Sequence, residues 1–265
     1  MTPAAKLNTP VVSISMAYSC TLSSVFDDNC GLLQHSAARS PRGQLVTIHR
    51  WRWHMAERLQ LAGPSGQLEA VFEQGSDAPP FVAIVCHPHP LFGGTMDNKV
   101  VTTLTRLVRD KGGAVVRFNF RGVGDSQGAY SDGIGETEDL LAIHSWLREQ
   151  FPQAPLWLAG FSFGSFVACR GAEILNANGM PVSTLLLVAP PVHHYPFTDI
   201  ETTGCPVTVV QGDDDEVVPA EQVFRWAEQT PLTPDLIRFP DCGHFFHGRL
   251  VELKEAAASH LPVSG

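Results

Sequence analysis

The chain has 265 residues, 44% of them hydrophobic, a net charge of −9 and a pI near 5.6. That length holds one sizeable core, and a single α/β domain is the simplest division. An acidic chain without Lys/Arg runs is a poor match for nucleic acid or anionic membrane, and with no apolar run of 18 residues no spanning helix is expected.

Residues 1–54 differ from the rest. They carry five Lys/Arg and two acids, whereas residues 55–265 carry 13 basic and 25 acidic side chains. Val11 to Phe26 is apolar but broken by five serines and a threonine, with one lysine before it and no clear small-x-small cleavage site. Without strong periodicity, residues 1–54 are expected to be an extension, disordered or loosely packed. Met55-Ala56-Glu57-Arg58 would make an ordinary start, so the domain is expected over 55–265.

From there strands and helices alternate. Arg58 to Leu61 and Gln67 to Phe72 alternate at period two around Gly63-Pro64-Ser65-Gly66, the pattern of a hairpin. Phe81 to Cys86 is a continuous apolar run, as a buried parallel strand should be. Asp97 to Asp110 has helical spacing, Ala114 to Phe120 reads as a strand, and Ile134 to Gln150 as a helix with acids in its first turns. A strand over 156–160 leads to Gly160-Phe161-Ser162-Phe163-Gly164 and a helix behind it. Strands follow at 184–188, 206–211 and 236–239, and helices at 220–229 and 248–259. Two antiparallel strands and six interleaved with helices predict a doubly wound, mostly parallel eight-stranded α/β sheet with helices on both faces.

In such a sheet, function gathers at the carboxyl ends of the strands. A serine on a sharp strand-to-helix turn exposes its hydroxyl in a strained backbone, with a helix N-terminus behind it to favour negative charge. Gly160 and Gly164 leave room where side chains would collide with neighbouring elements. A serine hydroxyl needs a base, itself oriented by a third group. After Ser162 the chain supplies Asp213-Asp214-Asp215 and then His244 and His247, each group following a separate strand. His244, directly after Gly243 in a loop, is preferred over His247, which is expected inside the last helix. Asp215, where the chain turns back into a helix, is preferred over Asp213 and Asp214.

An oxyanion hole needs two backbone donors. Phe163, next to the serine, is one candidate. The other is expected from His87-Pro88-His89-Pro90-Leu91-Phe92-Gly93-Gly94, where the prolines have no N–H and His89 is nearest, with Leu91 behind it. Phe92, Phe161, Phe163 and Tyr195 are the candidates to grip an acyl chain.

Residues 55–265 resemble the α/β-hydrolase superfamily, and more narrowly its compact bacterial members with His-Pro-His-Pro-x-x-Gly-Gly-x-x-x-Asn-Lys, here residues 87–99. The stretch Phe118 to Gly128, the Gly-Phe-Ser-Phe-Gly elbow, Gln211 to Val218 and His244 to Gly248 carry the same resemblance. It implies a serine esterase that works through an acyl-enzyme without a cofactor. It implies nothing about residues 1–54 or the acyl group. Lid insertions in this fold follow the sixth strand, and only residues 190–205 lie there, too few for a cap domain. The site is therefore expected to be open and to prefer short acyl chains, roughly C2 to C6.

Two other readings stand beside it. His87-x-His89 and His244-x-x-His247 have metal-ligand residues, but no HExxH or Asp-rich set accompanies them. A binding or regulatory module on a hydrolase scaffold is the other, although such a chain has usually lost one of the three site residues. Gly122-Val123-Gly124 fails as a nucleotide loop because no helix follows at the required distance. Six cysteines without a Cys-x-x-Cys pair, two of them in apolar runs, point to a reducing, cytoplasmic setting. Oligomeric state is not encoded in any visible pattern.

Overall fold

In the computed structural model the described residues are 56–261 together with three short strands nearer the start. The chain divides into two units, Met1–Arg52 and Trp53–Gly265. In the first, β1 (Thr21–Ser24), β2 (Gln34–Arg39) and β3 (Leu45–His49) form an antiparallel sheet in that order. The sequence reading contains no strand there. The rest of the extension expected over 1–54 lies outside the described residues.

The second unit begins with the hairpin of β4 (Glu57–Gly63) and β5 (Gly66–Gln74), closed between Gly63 and Gly66. Then follow β6 (Val82–Cys86), α1 (Lys99–Asp110), β7 (Ala114–Phe118), α2 (Ile134–Gln150), β8 (Leu156–Phe161) and α3 (Phe163–Ala177). The chain continues with β9 (Thr184–Val188), β10 (Val207–Gly212), α4 (Ala220–Gln229), β11 (Asp235–Phe239) and α5 (Leu250–Ala258). The sheet order is β11-β10-β9-β8-β6-β7-β5-β4. The strands from β6 onward pair in parallel, and β5 joins them antiparallel through β7.

Period-two alternation explains why these strands read as unbroken apolar runs. On β6, Val82, Ile84 and Cys86 enter one core with α2, α3 and α4, while Ala83 and Val85 enter a second with α1 and α5. Both faces are buried, which favours apolar side chains on both, although Thr208 and Gln211 on β10 are buried as well. Helix α1 starts two residues later than the apolar spacing suggests because Asn98 caps it, its Oδ1 accepting from Val100 N at 2.8 Å. Strand β7 stops at Phe118, and Asn119 turns to bond the chain around it: its Oδ1 accepts from Met96 N and its Nδ2 donates to Glu69.

Between β9 and β10 the chain makes only one short 3-10 turn, Phe197–Asp199. Nothing inserted between these two strands forms a cap domain among the described residues. Among the described residues no helix is long and apolar enough to cross a membrane, and Cys86, Cys169, Cys205 and Cys242 are free thiols.

Candidate active site

Strand β8 delivers Ser162 into a backbone that side-chain-bearing residues avoid, φ 53° and ψ −123°. Such a conformation costs about 1–3 kcal/mol and persists only where its surroundings over-determine it. Here Ser162 N donates to Val188 O at 2.8 Å, and the Ser162 carbonyl accepts from Ser165 N at 2.8 Å and Ser165 Oγ at 2.6 Å. The flanking glycines are steric requirements. A Cβ on Gly160 would sit 2.1 Å from Gly164 O, and one on Gly164 would sit 2.5 Å from the carbonyl oxygens of both Cys86 and His87. Helix α3 therefore starts in direct backbone contact with the end of β6.

His244, on the loop after β11, meets this serine: its Nε2 is 3.1 Å from Ser162 Oγ and its Nδ1 is 2.9 Å from Asp215 Oδ2. Asp215 also accepts from Gln211 Nε2 at 3.0 Å, Val217 N at 2.9 Å and Val218 N at 2.7 Å. Burial pushes its pKa upward, but the hydrogen bonds and charge of His244 and the two amides outweigh burial, and the net direction is down. Asp215 is thus held as a carboxylate facing the imidazole. Asp213 instead pairs with Arg238 at 3.0 Å. His247 is exposed and lies in a turn ahead of α5, not inside the helix as expected.

Of the expected oxyanion donors, Phe163 N is the first amide of α3 and His89 N lies in the loop after β6. Among the described residues neither meets an acceptor. The alternative, Leu91 N, is already used, donating to His89 Nδ1 at 3.2 Å. The apolar candidates divide. Phe92 is 85% exposed with its ring 4.7 Å from that of His89. Phe161 is 0% exposed and so offers no surface to an acyl chain. Strand alternation turns it into the α1/α5 core, where its ring supports the His244 imidazole at 5.0 Å. Tyr195 is nearly buried, packed on Phe166 at 5.0 Å and 5.3 Å from the buried Phe163, with its hydroxyl 3.1 Å from Tyr130 Oη.

Several site groups were not visible in the sequence. Glu216 Oε2 accepts from His244 N at 3.0 Å and so pins the histidine loop to the acid loop. Its position beside Asp215 was the only signal. Tyr130 links the loops after β6 and β9, its hydroxyl 3.1 Å from both His89 Nε2 and Tyr195 Oη. Nothing in its sequence surroundings announced that.

His87 is fully buried with both ring nitrogens hydrogen-bonded to backbone, to Pro88 O at 2.6 Å and Phe120 N at 3.0 Å, which leaves neither to hold a metal. Burial lowers its pKa to about 3, and burial with the Arg148 charge lowers that of His144 to about 4. Both are neutral in the fold, whereas the unfolded chain protonates near 6.5. Stability should therefore be complete above pH 6.5 and fall as pH drops below it, before most carboxylates titrate. The expected loss at pH 4.5 is on the order of 3 kcal/mol from His87 alone. Urea unfolding at pH 7, 5.5 and 4.5 measures it; a flat midpoint would contradict the buried neutral state.

The model of the α/β-hydrolase fold family matches residues 92–202. An α/β serine hydrolase homologue from Coxiella burnetii is 43% identical, with a TM-score of 0.72 over 78% of this chain and 97% of that one. XC6422 from Xanthomonas campestris, described as an α/β serine hydrolase without lid, is 42% identical, with a TM-score of 0.71 over 76% of this chain and 91% of that one. The uncharacterised protein RP471 of Rickettsia prowazekii is 34% identical across 77% of this chain and 88% of its own. Sharing this much sequence along nearly their whole length, the chain belongs to the α/β serine hydrolase family.

Proposed function

We propose that the protein hydrolyses carboxylic esters through an acyl-enzyme. The observation that carries this is the unbroken hydrogen-bond line from Ser162 through His244 to Asp215, 3.1 and 2.9 Å. Asp215 accepts a hydrogen bond from Nδ1–H, which keeps that proton on Nδ1 and leaves Nε2 as a lone-pair base toward the serine. Ser162 Oγ attacks the ester carbonyl carbon while Nε2 takes its proton. The amides of Phe163 and His89 receive the oxyanion. The imidazolium then gives the proton to the departing alkoxide, and a water repeats the sequence to free the acid. No cofactor takes part.

The substrate is a small molecule with a short acyl chain. Each buried methylene is worth about 0.8 kcal/mol. With no cap among the described residues, and with Phe161 and Phe163 sealed in the core, an acyl chain is left to exposed side chains such as Phe92, Leu91 and Phe245 and to the edge of Tyr195, none of which encloses it. The acidic net charge and the free thiols of Cys86, Cys169, Cys205 and Cys242 favour a cytoplasmic protein that acts away from nucleic acid and membrane.

The test is labelling by a fluorophosphonate probe, together with kcat/KM on p-nitrophenyl esters from C2 to C16 in the presence of EDTA. The expected result is Ser162 labelling, EDTA-insensitive turnover and a maximum between C2 and C6. Loss of activity in EDTA would favour metal-dependent hydrolysis. A folded protein that takes no label would favour a binding module, and a maximum at C10 or beyond would sink the short-chain assignment.

A further inference from the structure

His87 has no part in the chemistry proposed above, yet it is placed with unusual definition. Its Nε2 accepts from Phe120 N–H at 3.0 Å, so that nitrogen carries no proton. In a neutral imidazole the proton then sits on Nδ1, which donates to Pro88 O at 2.6 Å. The ring is fully buried, 4.4 Å from that of Phe120. The acceptor matters because of what shares its peptide unit. Pro88 O and His89 N–H are the two ends of one planar trans peptide and point in opposite directions.

We propose that His87 is a positioning residue, which aims the His89 amide at the oxyanion by holding the carbonyl at the other end of the same peptide. This rests on the reading of Ser162 as nucleophile. Two further features agree with it. Gly94 has to lack a side chain, because a Cβ there would lie 2.1 Å from Pro88 O and push the peptide over. Pro88 and Pro90 remove the neighbouring amide donors and restrict φ on both sides. A hydrogen bond accepted at the carbonyl also polarises the peptide and strengthens the N–H as a donor.

The alternative is that His87 merely fills space, and two amide variants separate the ideas. An asparagine places its amide near the Nδ1 position, and a glutamine places its amide near Nε2. His87→Asn can keep the donor to Pro88 O and loses the acceptor for Phe120 N–H. His87→Gln does the reverse. Both variants should lose stability to a similar extent. His87→Gln should lose about 10- to 100-fold in kcat, with KM within about 3-fold, on the scale of a misaimed oxyanion donor. His87→Asn should stay within about 5-fold of the wild type. Affinity for an alkyl boronic acid, which forms a tetrahedral adduct on the serine, should fall in His87→Gln by the same factor as kcat/KM. Equal kcat losses in both variants, or an unchanged kcat in His87→Gln, would overturn the proposal. The wild-type protein gives an independent reading if the variants fold poorly. Forming the boronate adduct should move the NMR resonance of His87 Nδ1–H, and a stationary resonance counts against the proposal. A wild type that neither reacts with a fluorophosphonate nor cleaves esters would instead remove the underlying assignment of Ser162, and this inference with it.

Discussion

Replacing Ser162 by alanine should abolish fluorophosphonate labelling and lower kcat/KM by about 10⁴-fold or more, with the fold intact. Among the described residues the Ser162 hydroxyl is the one that meets His244 Nε2, so on the proposed mechanism no neighbour substitutes for it. Alanine keeps the Cβ and so inherits the backbone strain at φ 53°. Glycine does not, because it reaches positive φ without steric cost. Ser162→Gly should therefore be as inactive as Ser162→Ala but more stable than it, by up to about 1–3 kcal/mol less the entropy that glycine loses on folding. Circular dichroism melts of the two variants, beside ester turnover, make the comparison. Equal stability would mean that the elbow is not strained, and substantial activity in either variant would move the nucleophile elsewhere.

Asp215→Asn is the second large effect, about 10⁴-fold in kcat. The argument is one of donors and acceptors. Val217 N and Val218 N both donate to Oδ1, so the asparagine oxygen will stay on that side. Its NH₂ then faces His244 Nδ1 and Gln211 Nε2, both donors to the wild-type carboxylate. The imidazole can relieve the clash only by moving its proton to Nε2, and in that tautomer it cannot take the serine proton. Asp213→Asn and Asp214→Asn should change kcat by less than about 5-fold, because Asp213 is committed to Arg238 at the surface. Steady-state kinetics on all three variants decide it. A large loss in Asp213→Asn or Asp214→Asn with a mild one in Asp215→Asn would reassign the acid.

The fold was legible because its strands are buried on both faces. The runs at 81–86, 156–160 and, Thr184 apart, 184–188 have no polar residue, and the helices between them carry apolar stripes. The candidate site was legible where steric necessity restricts residue choice. Gly160 and Gly164 are such positions, with backbone 2.1 and 2.5 Å from any added Cβ. The choice of Asp215 over its neighbours followed from where the chain turns into α4. What stayed hidden depends on direction in space. Phe161 was expected in the cleft, but the face it takes is set by the register of β8, which adjacency to Ser162 does not reveal. The proline-flanked histidines are equivalent on paper. Only the structure separates one sealed between two backbone groups from one whose ring stands among Phe92, Tyr130 and Phe163. The strand ended by Asn119 and the amide held by Glu216 likewise depend on contacts from distant segments, Glu69 with Met96 and His244.

The short 190–205 connection bears on the fate of the acyl group as well as on its size. In the proposed reaction, with no cap inserted after β9, water is expected to reach the serine ester once the alcohol departs, although Ser162 itself is largely buried. A competing alcohol or amine must win against water without any enclosure to concentrate it. On that proposal the expected outcome is release of the acyl group as free acid with little transfer, which product analysis in the presence of an added alcohol measures. The same proposal predicts that bulky leaving groups carry little penalty while the acyl half stays restricted.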